Sequence, residues 1–343
     1  MKRPFFIADK RQRGVSLIEL MISMTIGLII MIAVISAYLG ASGASRTAEA
    51  LGRMNEDGQA ALTILTQQLR MAGANPSQPD RYSVTFATPS ARGNTVPLHN
   101  SVTNAFALRG CDTTFTNVTS GAVNTAGLTC GHSSSSAGPD SISIAYEADR
   151  YNTIPTSLGV PTDCMGNAIT PLTLSPGYLN GAGVAAASTL IYEAENRYFI
   201  GTSPNITSPT LYCKGNGGSA QPLVENIEDL QITYGTVDPK TTAAPVYVTV
   251  TPTFTTTMVL GYLSAYDVDN DTSTLPGTAG TATPARWNAV KAIRICVVAR
   301  SEQPVADSLA SARYLDCSGN LVTAPPDKRL RRAFTTTVVI RNQ

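Results

Sequence analysis

The feature that most constrains this chain is an apolar run near its amino terminus. From Leu20 to Ser45 the sequence contains no Asp, Glu, Lys or Arg. At the α-helical rise of about 1.5 Å per residue, Leu20–Leu39 spans roughly 30 Å, which is the thickness of a bilayer core. The run is too long for the apolar region of an ordinary secretory signal, which covers about 7–15 residues. The sequence therefore predicts a membrane-spanning helix.

A short basic segment precedes this run. Residues 1–14 read MKRPFFIADKRQRG, in which basic residues outnumber the single acidic one. Basic flanks stay on the cytoplasmic side, so the remainder of the chain is expected to be exported across the inner membrane. Glu19 is the one carboxylate at the start of the apolar helix, and it is costly there unless a positive charge meets it. A cut after Gly14 would create such a charge, the new α-amino group of Val15.

The residues around this position resemble a known processing signal. The segment RGVSLIELM at residues 13–21 is similar to the class III signal of type IV pilins and type II secretion pseudopilins. The resemblance implies that a prepilin peptidase cuts after Gly14 and that Val15 becomes an N-methylated amino terminus. It also implies that Glu19 sets the register against a neighbouring subunit. Val15 stands where the family more often has Phe.

An amphipathic pattern follows the apolar run. Within Ser45–Ala72 apolar residues recur at spacings of three or four, and no proline lies between Pro4 and Pro76. This pattern predicts one continuous helix from about Val15 to about Ala72. The expected organisation is a leader peptide at 1–14, a transmembrane and amphipathic helix at 15–75, and a β-rich globular head with long loops at 76–343.

The head is predicted to be mainly antiparallel β-structure. Alternating runs place strands at 141–146, 293–298 and 334–340, with further candidates at 226–234 and 246–262. Two apolar runs, Leu190–Tyr192 and Tyr198–Ile200, flank the polar stretch Glu193–Arg197 and predict a hairpin. The expected fold class is α+β, with a long N-terminal helical stem and a predominantly antiparallel β head as in type IV pilins.

A second resemblance lies in the last third of the chain. Residues 223–235, Trp287–Arg300 and 330–342 are similar to the C-terminal pattern of PilW-type minor pilins. Residues 77–220 match no family pattern. Within the first segment, an acidic group is interpreted as a solvated face at a helical turn that leads into the sheet: Glu225, Glu228 and Asp229.

All the cysteines follow the apolar run: Cys111, Cys130, Cys164, Cys213, Cys296 and Cys317. An even number on the exported side of a membrane favours disulfides, although the sequence leaves their connectivity open. Pairing of nearest neighbours, 111–130, 164–213 and 296–317, is favoured because each bond then closes one loop. A zinc site is not predicted, because the sequence has no CxxC and its only histidines are His99 and His132.

No motif for catalysis or for a cofactor is found. The sequence lacks the G-x-S-x-G, phosphate-loop and H-E-x-x-H patterns, so neither an enzyme nor a small-molecule substrate is expected. A formal net charge of +1 argues against a nucleic-acid partner. Asp267, Asp269 and Asp271 have calcium-loop spacing, but Thr272 and Thr278 replace the expected Gly and Glu. A solvated acidic loop is the favoured interpretation.

The sequence therefore predicts a minor pilin of a type IV pilus, which primes assembly or sits at the tip and supports twitching motility and adhesion. It would be a single-pass inner-membrane precursor with a periplasmic head, and later part of the pilus at the cell surface. Expected partners are the prepilin peptidase, other minor pilins, the major pilin and the inner-membrane assembly platform. Two alternatives stay open, a type II secretion minor pseudopilin and a membrane-anchored periplasmic binding module.

Overall fold

The computed structural model describes residues 14, 16–74, 107–121, 125–131, 133, 137–174, 189–237, 259, 261–270, 286–287 and 289–341. By internal contacts the chain divides into two units, Met1–Glu49 and Ala50–Gln343. The order of elements, one long helix followed by antiparallel strands, confirms the α+β class.

Helix α1 covers Leu17–Met71, as the apolar run and the proline-free sequence predict. Its second half buries one face in the head, formed by Met54, Gly58, Ala61, Leu65 and Leu69. These residues recur every three or four positions and so form one stripe along the helix. The helix stops at Gly73, whose φ of 68° suits a residue without a side chain.

Hydrogen bonds fix the end of α1 to the head. The backbone N–H of Gly73 donates to the carbonyl of Ala145 at 2.9 Å, and Glu147 N–H donates to Ala74 at 2.9 Å. Further back on the helix, Gln68 Oε1 accepts from Asn196 Nδ2 at 3.0 Å. The second half of α1 is therefore an integral part of the head.

In chain order the strands are β1 (Leu108–Cys111), β2 (Ser141–Glu147), β3 (Leu172–Leu174), β4 (Thr189–Ile191), β5 (Glu193–Gly201), β6 (Thr210–Lys214), β7 (Gln221–Glu225), β8 (Ile227–Thr236), β9 (Gly261–Leu263), β10 (Val290–Arg300), β11 (Tyr314–Leu315), β12 (Leu321–Val322) and β13 (Arg331–Val339). A short helix α2 (Ala265–Asn270) follows β9, and 3₁₀ turns lie at Thr125–Gly127 and Ala310–Ala312.

Two antiparallel sheets make up most of the described head. The first has the order β1-β2-β5-β6-β7 and the second the order β13-β10-β8-β9. The central strand β10 pairs with β8 and β13, so that Ile295 lies between Ile232 and Thr336. The predicted strands at 141–146 and 293–298 fall within β2 and β10, and that at 334–340 overlaps β13, which ends one residue earlier, at Val339. Of the candidate at 246–262, positions 259, 261 and 262 are described, with β9 beginning at Gly261, and the rest lies outside the described residues.

The predicted hairpin around Glu193–Arg197 is wrong, because this stretch lies inside the unbroken strand β5. Arg197 has neighbours on both sides, Ser143 of β2 and Lys214 of β6. Although charged, Arg197 is only 1% exposed. Its guanidinium donates to the carbonyl oxygens of Val118 at 3.0 Å and Ser120 at 2.7 Å. These carbonyl groups and the carboxylate of Glu195, 3.6 Å away, give the guanidinium partners inside the head, so this polar stretch does not mark a turn.

The predicted helical turn before β8 is also wrong. Gln221–Glu225 forms strand β7, and only Asn226 separates it from β8. Asn226 has a φ of 61°, a left-handed conformation that Asn tolerates better than most residues. One residue therefore carries the chain from the first sheet to the second.

The main core lies between α1 and the two sheets. Leu65 and Leu69 of the helix belong to the same buried cluster as Tyr198 of the first sheet and Leu230 of the second. Trp287 is fully buried and meets the ring of Tyr234 edge-on, with centroids 4.9 Å apart. Both sheets thus share one hydrophobic interior with the helix.

Candidate functional site

The first half of α1 presents an apolar surface to solvent. Its large apolar side chains are between 49% and 80% exposed: Leu17, Ile18, Leu20, Met21, Ile22, Met24, Ile26, Leu28, Ile29, Ile30, Met31, Ile32, Val34, Ile35, Tyr38 and Leu39. By length and composition this helix is able to cross a membrane. A continuous apolar surface of this size marks a segment that lipid or other protein covers.

The polar side chains in this half are turned back onto the helix itself. Ser23 Oγ donates to the carbonyl of Glu19 at 2.6 Å, and Thr25 Oγ1 donates to that of Ile22 at 2.9 Å. Ser36 and Ser42 make the same kind of bond, at 2.9 and 3.0 Å. Such bonds satisfy hydroxyl groups without water, as a segment in an apolar environment requires.

The predicted processing site lies just before this helix. Gly14 is exposed, and nothing lies within 4 Å of the position that a β-carbon on it would occupy. Val15 lies outside the described residues. Glu19 lies in the first turn of α1 and is exposed. The amino-terminal end of a helix carries partial positive charge, which favours an acidic side chain at this position.

The six cysteines form three disulfides, Cys111–Cys130, Cys164–Cys213 and Cys296–Cys317. The first bond fixes the end of β1 to the segment after the first 3₁₀ turn, and the second ties a loop to β6. The third attaches the turn between β11 and β12 to β10. All six cysteines are therefore used to brace the head, and Cys130 is not available to hold zinc. His99 and His132 lie outside the described residues.

The aspartates with calcium-loop spacing contact different groups. Asp267 Oδ2 accepts from Ser264 Oγ at 3.0 Å at the start of α2. Asp269 accepts from Trp287 Nε1 at 2.7 Å and forms an ion pair with Arg109 at 3.2 Å. Asp271 lies outside the described residues. Among the residues that the structure describes, no group of three or more acidic, His or Cys side chains is placed to bind a metal.

Three buried carboxyl groups in the head have raised pKa values. Burial raises the pKa of Asp140 to about 8, although Oδ2 accepts from the N–H of Ile232 at 2.6 Å. Burial likewise raises the pKa of Glu193 to about 7 and that of Glu195 to about 8. Glu195 lies 3.6 Å from Arg197, and the loss of solvation outweighs this attraction. The described head therefore keeps several carboxyls in surroundings that favour their protonated form.

Two family models match the chain. The Type IV Pilus-assembly protein W family (PilW) matches residues 197–342, and the prokaryotic N-terminal methylation motif matches residues 9–35. The first match includes residues 197–220, so the expectation that 77–220 match no family pattern is wrong for this part. No curated protein and no solved structure matches the chain. The chain is thus a protein related to type IV pilus assembly that carries an N-terminal methylation motif and fits a membrane-anchored pilin. Within that class, the two matches together support a PilW-like type IV pilin.

Proposed function

We propose that this chain is a minor pilin of a type IV pilus. It is made as a single-pass precursor in the inner membrane, with its head in the periplasm. A prepilin peptidase cuts after Gly14 and the new amino terminus, Val15, is methylated. The match to the methylation motif at residues 9–35 and the exposed position of Gly14 support this maturation.

The observation that carries the proposal is the exposed apolar half of α1 with one carboxylate, Glu19, at its first turn. In the membrane, lipid covers this surface, and in a filament the helices of neighbouring subunits cover it. Close packing then replaces contact with lipid. A carboxylate among these apolar helices is tolerated when a positive charge meets it, and the methylated amino terminus of a neighbour supplies that charge. The pairing of Glu19 with the amino terminus of a neighbouring subunit therefore sets the axial register between the two subunits.

The head acts with other subunits rather than alone. We place the protein with other minor pilins, either at the inner membrane, where it primes assembly on the platform, or at the tip of the pilus. From either position it supports twitching motility and adhesion. The match of residues 197–342 to a pilus-assembly family supports a pilus role over one in type II secretion.

Mass spectrometry of the amino-terminal peptide of the mature protein tests the maturation. The expected peptide begins at Val15 and carries one added methyl group. A peptide that begins at Met1, or at a site beyond the apolar run, would contradict the proposal. The Gly14→Ala variant is the matched control, because it should leave an uncut precursor in the membrane.

Deletion of the gene separates a pilus from a secretion filament. We expect loss of surface pili and of twitching, with normal release of secreted proteins. Loss of secretion with normal twitching would assign the chain to a type II secretion pseudopilus.

A further inference from the structure

A loop that follows β2, the apolar loop (residues 149–162), presents large apolar side chains to solvent. The exposed fraction is 80% for Tyr151, 86% for Ile154 and 89% for Leu158, at least as high as for any large apolar side chain in the first half of α1. Residues 151–162 read YNTIPTSLGVPT and contain no charged side chain. An uncharged segment with such an exposed apolar surface marks a place of contact with lipid or with another protein.

Both ends of the apolar loop are fixed to the head. Just before it, the backbone N–H of Ala148 donates to the carbonyl of Tyr192 at 2.7 Å. At its end, Thr162 forms a β-bridge with Ala168, and the disulfide Cys164–Cys213 ties the next residues to β6. The loop is therefore an ordered part of the fold, and it loses little conformational freedom when it contacts a partner.

Polar groups in the first part of the apolar loop bond to one another. Asp149 Oδ1 accepts from the backbone N–H groups of Tyr151 at 2.6 Å and Asn152 at 2.8 Å. Thr153 Oγ1 donates to the carbonyl of Asp149 at 2.7 Å. The carboxylate at the start of the loop is thus used to hold its backbone.

The turn at 156–160 is closed in the same way. The N–H of Thr156 donates to the carbonyl of Val160 at 2.9 Å, and Thr156 Oγ1 accepts from the N–H of Val160 at 3.2 Å. The N–H of Gly159 donates to the carbonyl of Thr156 at 2.8 Å. A loop whose polar groups bond inside it and whose apolar side chains point outward suits surroundings that supply no hydrogen bonds.

These features favour lipid over a protein partner. A protein interface carries about one hydrogen bond per 100–200 Å², and the apolar loop leaves few groups to form such bonds. Side chains as exposed as Tyr151, Ile154 and Leu158 project separately into solvent. A protein would need a matching pocket for each of them, whereas acyl chains adapt to any shape.

Arg150 lies at the edge of the apolar loop and is exposed. Its guanidinium lies over the ring of Tyr151, 4.8 Å from the centroid, and Nη2 donates to the phenol oxygen at 2.6 Å. Aromatic and basic side chains beside apolar ones are typical of the interface between head groups and acyl chains. There the ring is partly buried and the cation meets the phosphate groups.

We propose that the apolar loop inserts into the surface of a lipid bilayer, with Ile154 and Leu158 among the acyl chains and Arg150 at the phosphate groups. Insertion of this kind reaches about 5–10 Å into the boundary between head groups and acyl chains. The loop is separate from the apolar half of α1, so it binds vesicles into which that helix is not inserted. The insertion does not depend on processing after Gly14 or on the proposed role in a pilus.

Co-flotation with vesicles tests the insertion in the full chain. The chain is embedded in lipid nanodiscs, whose lipid covers the apolar half of α1, and is mixed with vesicles of phosphatidylcholine with phosphatidylglycerol. We expect loaded discs to float with the vesicles and empty discs to stay behind. Leu158→Ser and Ile154→Ser should each weaken the binding by about tenfold or more, because each removes one buried apolar side chain. Leu321→Ser, at an exposed leucine of β12, is the matched control and should bind like the wild type.

Arg150→Gln tests the contact with phosphate groups. Loss of one basic side chain near an anionic surface should weaken binding to these vesicles by about fivefold. Binding of Arg150→Gln to vesicles of phosphatidylcholine alone should match that of the wild type.

An environment-sensitive dye reports whether the loop enters the bilayer. All six native cysteines form disulfides, so a dye attached to Ser157→Cys labels the loop alone. Its fluorescence should rise when vesicles are added. The same dye on Thr323→Cys, at an exposed position after β12, should not respond.

Three results would overturn the proposal: no flotation of loaded discs, equal binding of the wild type and both serine variants, or an unchanged dye signal. Pairing of loaded discs without vesicles that Leu158→Ser abolishes would also overturn it, because the loop would then bind a second copy of the chain. Ile154 and Leu158 are almost fully exposed, so the serine variants should keep the wild-type Tm. A loss of vesicle binding therefore does not report a loss of folding.

Discussion

Gly58 of α1 and Phe334 of β13 approach so closely that a β-carbon on Gly58 would lie 2.5 Å from the ring atoms Cδ2 and Cε2. The absence of a side chain at Gly58 thus sets how closely the helix lies against the second sheet. We expect Gly58→Ala to destabilise the head by about 1–3 kcal/mol, because the ring has to move out of a packed position. Denaturant unfolding of the detergent-solubilised chain measures this.

Gly52 offers a matched control on the same helix. It is exposed, and nothing lies within 4 Å of its potential β-carbon. Gly52→Ala should therefore leave the packing intact and increase stability by about 0.5–1 kcal/mol through better helix propensity. Equal effects of the two substitutions would contradict the role assigned to the Gly58 contact.

Glu19 is expected to act in assembly and not in insertion. Glu19→Ala should insert, and be cleaved after Gly14, at wild-type levels, because the apolar run is unchanged. It should support fewer pili, because the carboxylate that fixes the register is lost. Counting pili by electron microscopy, with immunoblots of the processed protein, measures both effects. Glu56→Ala, at an exposed position on the same helix, is the control and should leave piliation unchanged. Normal piliation in Glu19→Ala would refute the register hypothesis.

The buried carboxyls predict how stability depends on pH. In the folded head the pKa of Asp140 is about 8, well above its value in an unfolded chain, and Glu195 and Glu193 are shifted in the same direction. Between about pH 5 and pH 8 the folded state therefore holds protons that the unfolded chain has lost, so stability falls as the pH rises. The Tm, measured from pH 5 to pH 9, should decrease.

Asp140→Asn should make this dependence shallower, because the amide oxygen still accepts from Ile232 while the titrating group is gone. Asp307→Asn, at an exposed aspartate, should keep the wild-type slope. A wild-type Tm that rises with pH over this interval would show that these carboxyls are ionised in the folded head.

The disulfide Cys164–Cys213 should contribute the most to stability of the three. It spans 49 residues, whereas Cys111–Cys130 and Cys296–Cys317 span 19 and 21. Closing a longer loop restricts the unfolded chain more. Replacing Cys164 and Cys213 by alanine should therefore lower the free energy of unfolding by about 3–4 kcal/mol, and replacing either of the other two pairs should lower it somewhat less. Urea midpoints of the three double variants give the order. A smaller loss for the Cys164–Cys213 pair would show that native-state strain outweighs loop length.

The sequence was sufficient to predict α1, because an uncharged run and then a three-to-four repeat without proline leave few other structures open. It was also sufficient to place β2, β10 and β13, whose sequences contain the alternating runs, although every residue of β2 is buried in the fold. It failed at β5, where Glu193, Glu195 and Arg197 are polar residue types but buried. The guanidinium of Arg197 donates to carbonyl groups of a distant loop. Local polarity does not distinguish a turn from a buried strand with internal partners.

The close approach of Arg300 and Asn226 was beyond sequence reasoning for a related reason. Arg300 and Asn226 lie far apart in the sequence, at the end of β10 and just before β8, and neither belongs to a recognisable motif. Only the folded structure shows that the backbone N–H of Arg300 donates to the carbonyl of Asn226. The single local signal was the asparagine at the junction of two strands, a residue type that tolerates the left-handed conformation required there.

The inward hydrogen bonds of Ser23, Thr25, Ser36 and Ser42 have a further consequence for the first half of α1. When a helix whose hydroxyls already have partners leaves lipid for a bundle of helices, it moves from one apolar environment to another. The free energy of its apolar side chains therefore changes little in this transfer. Under the proposed function, the free-energy preference for the filament over the membrane then comes from the few groups that are poorly solvated in lipid, first of all the carboxylate of Glu19.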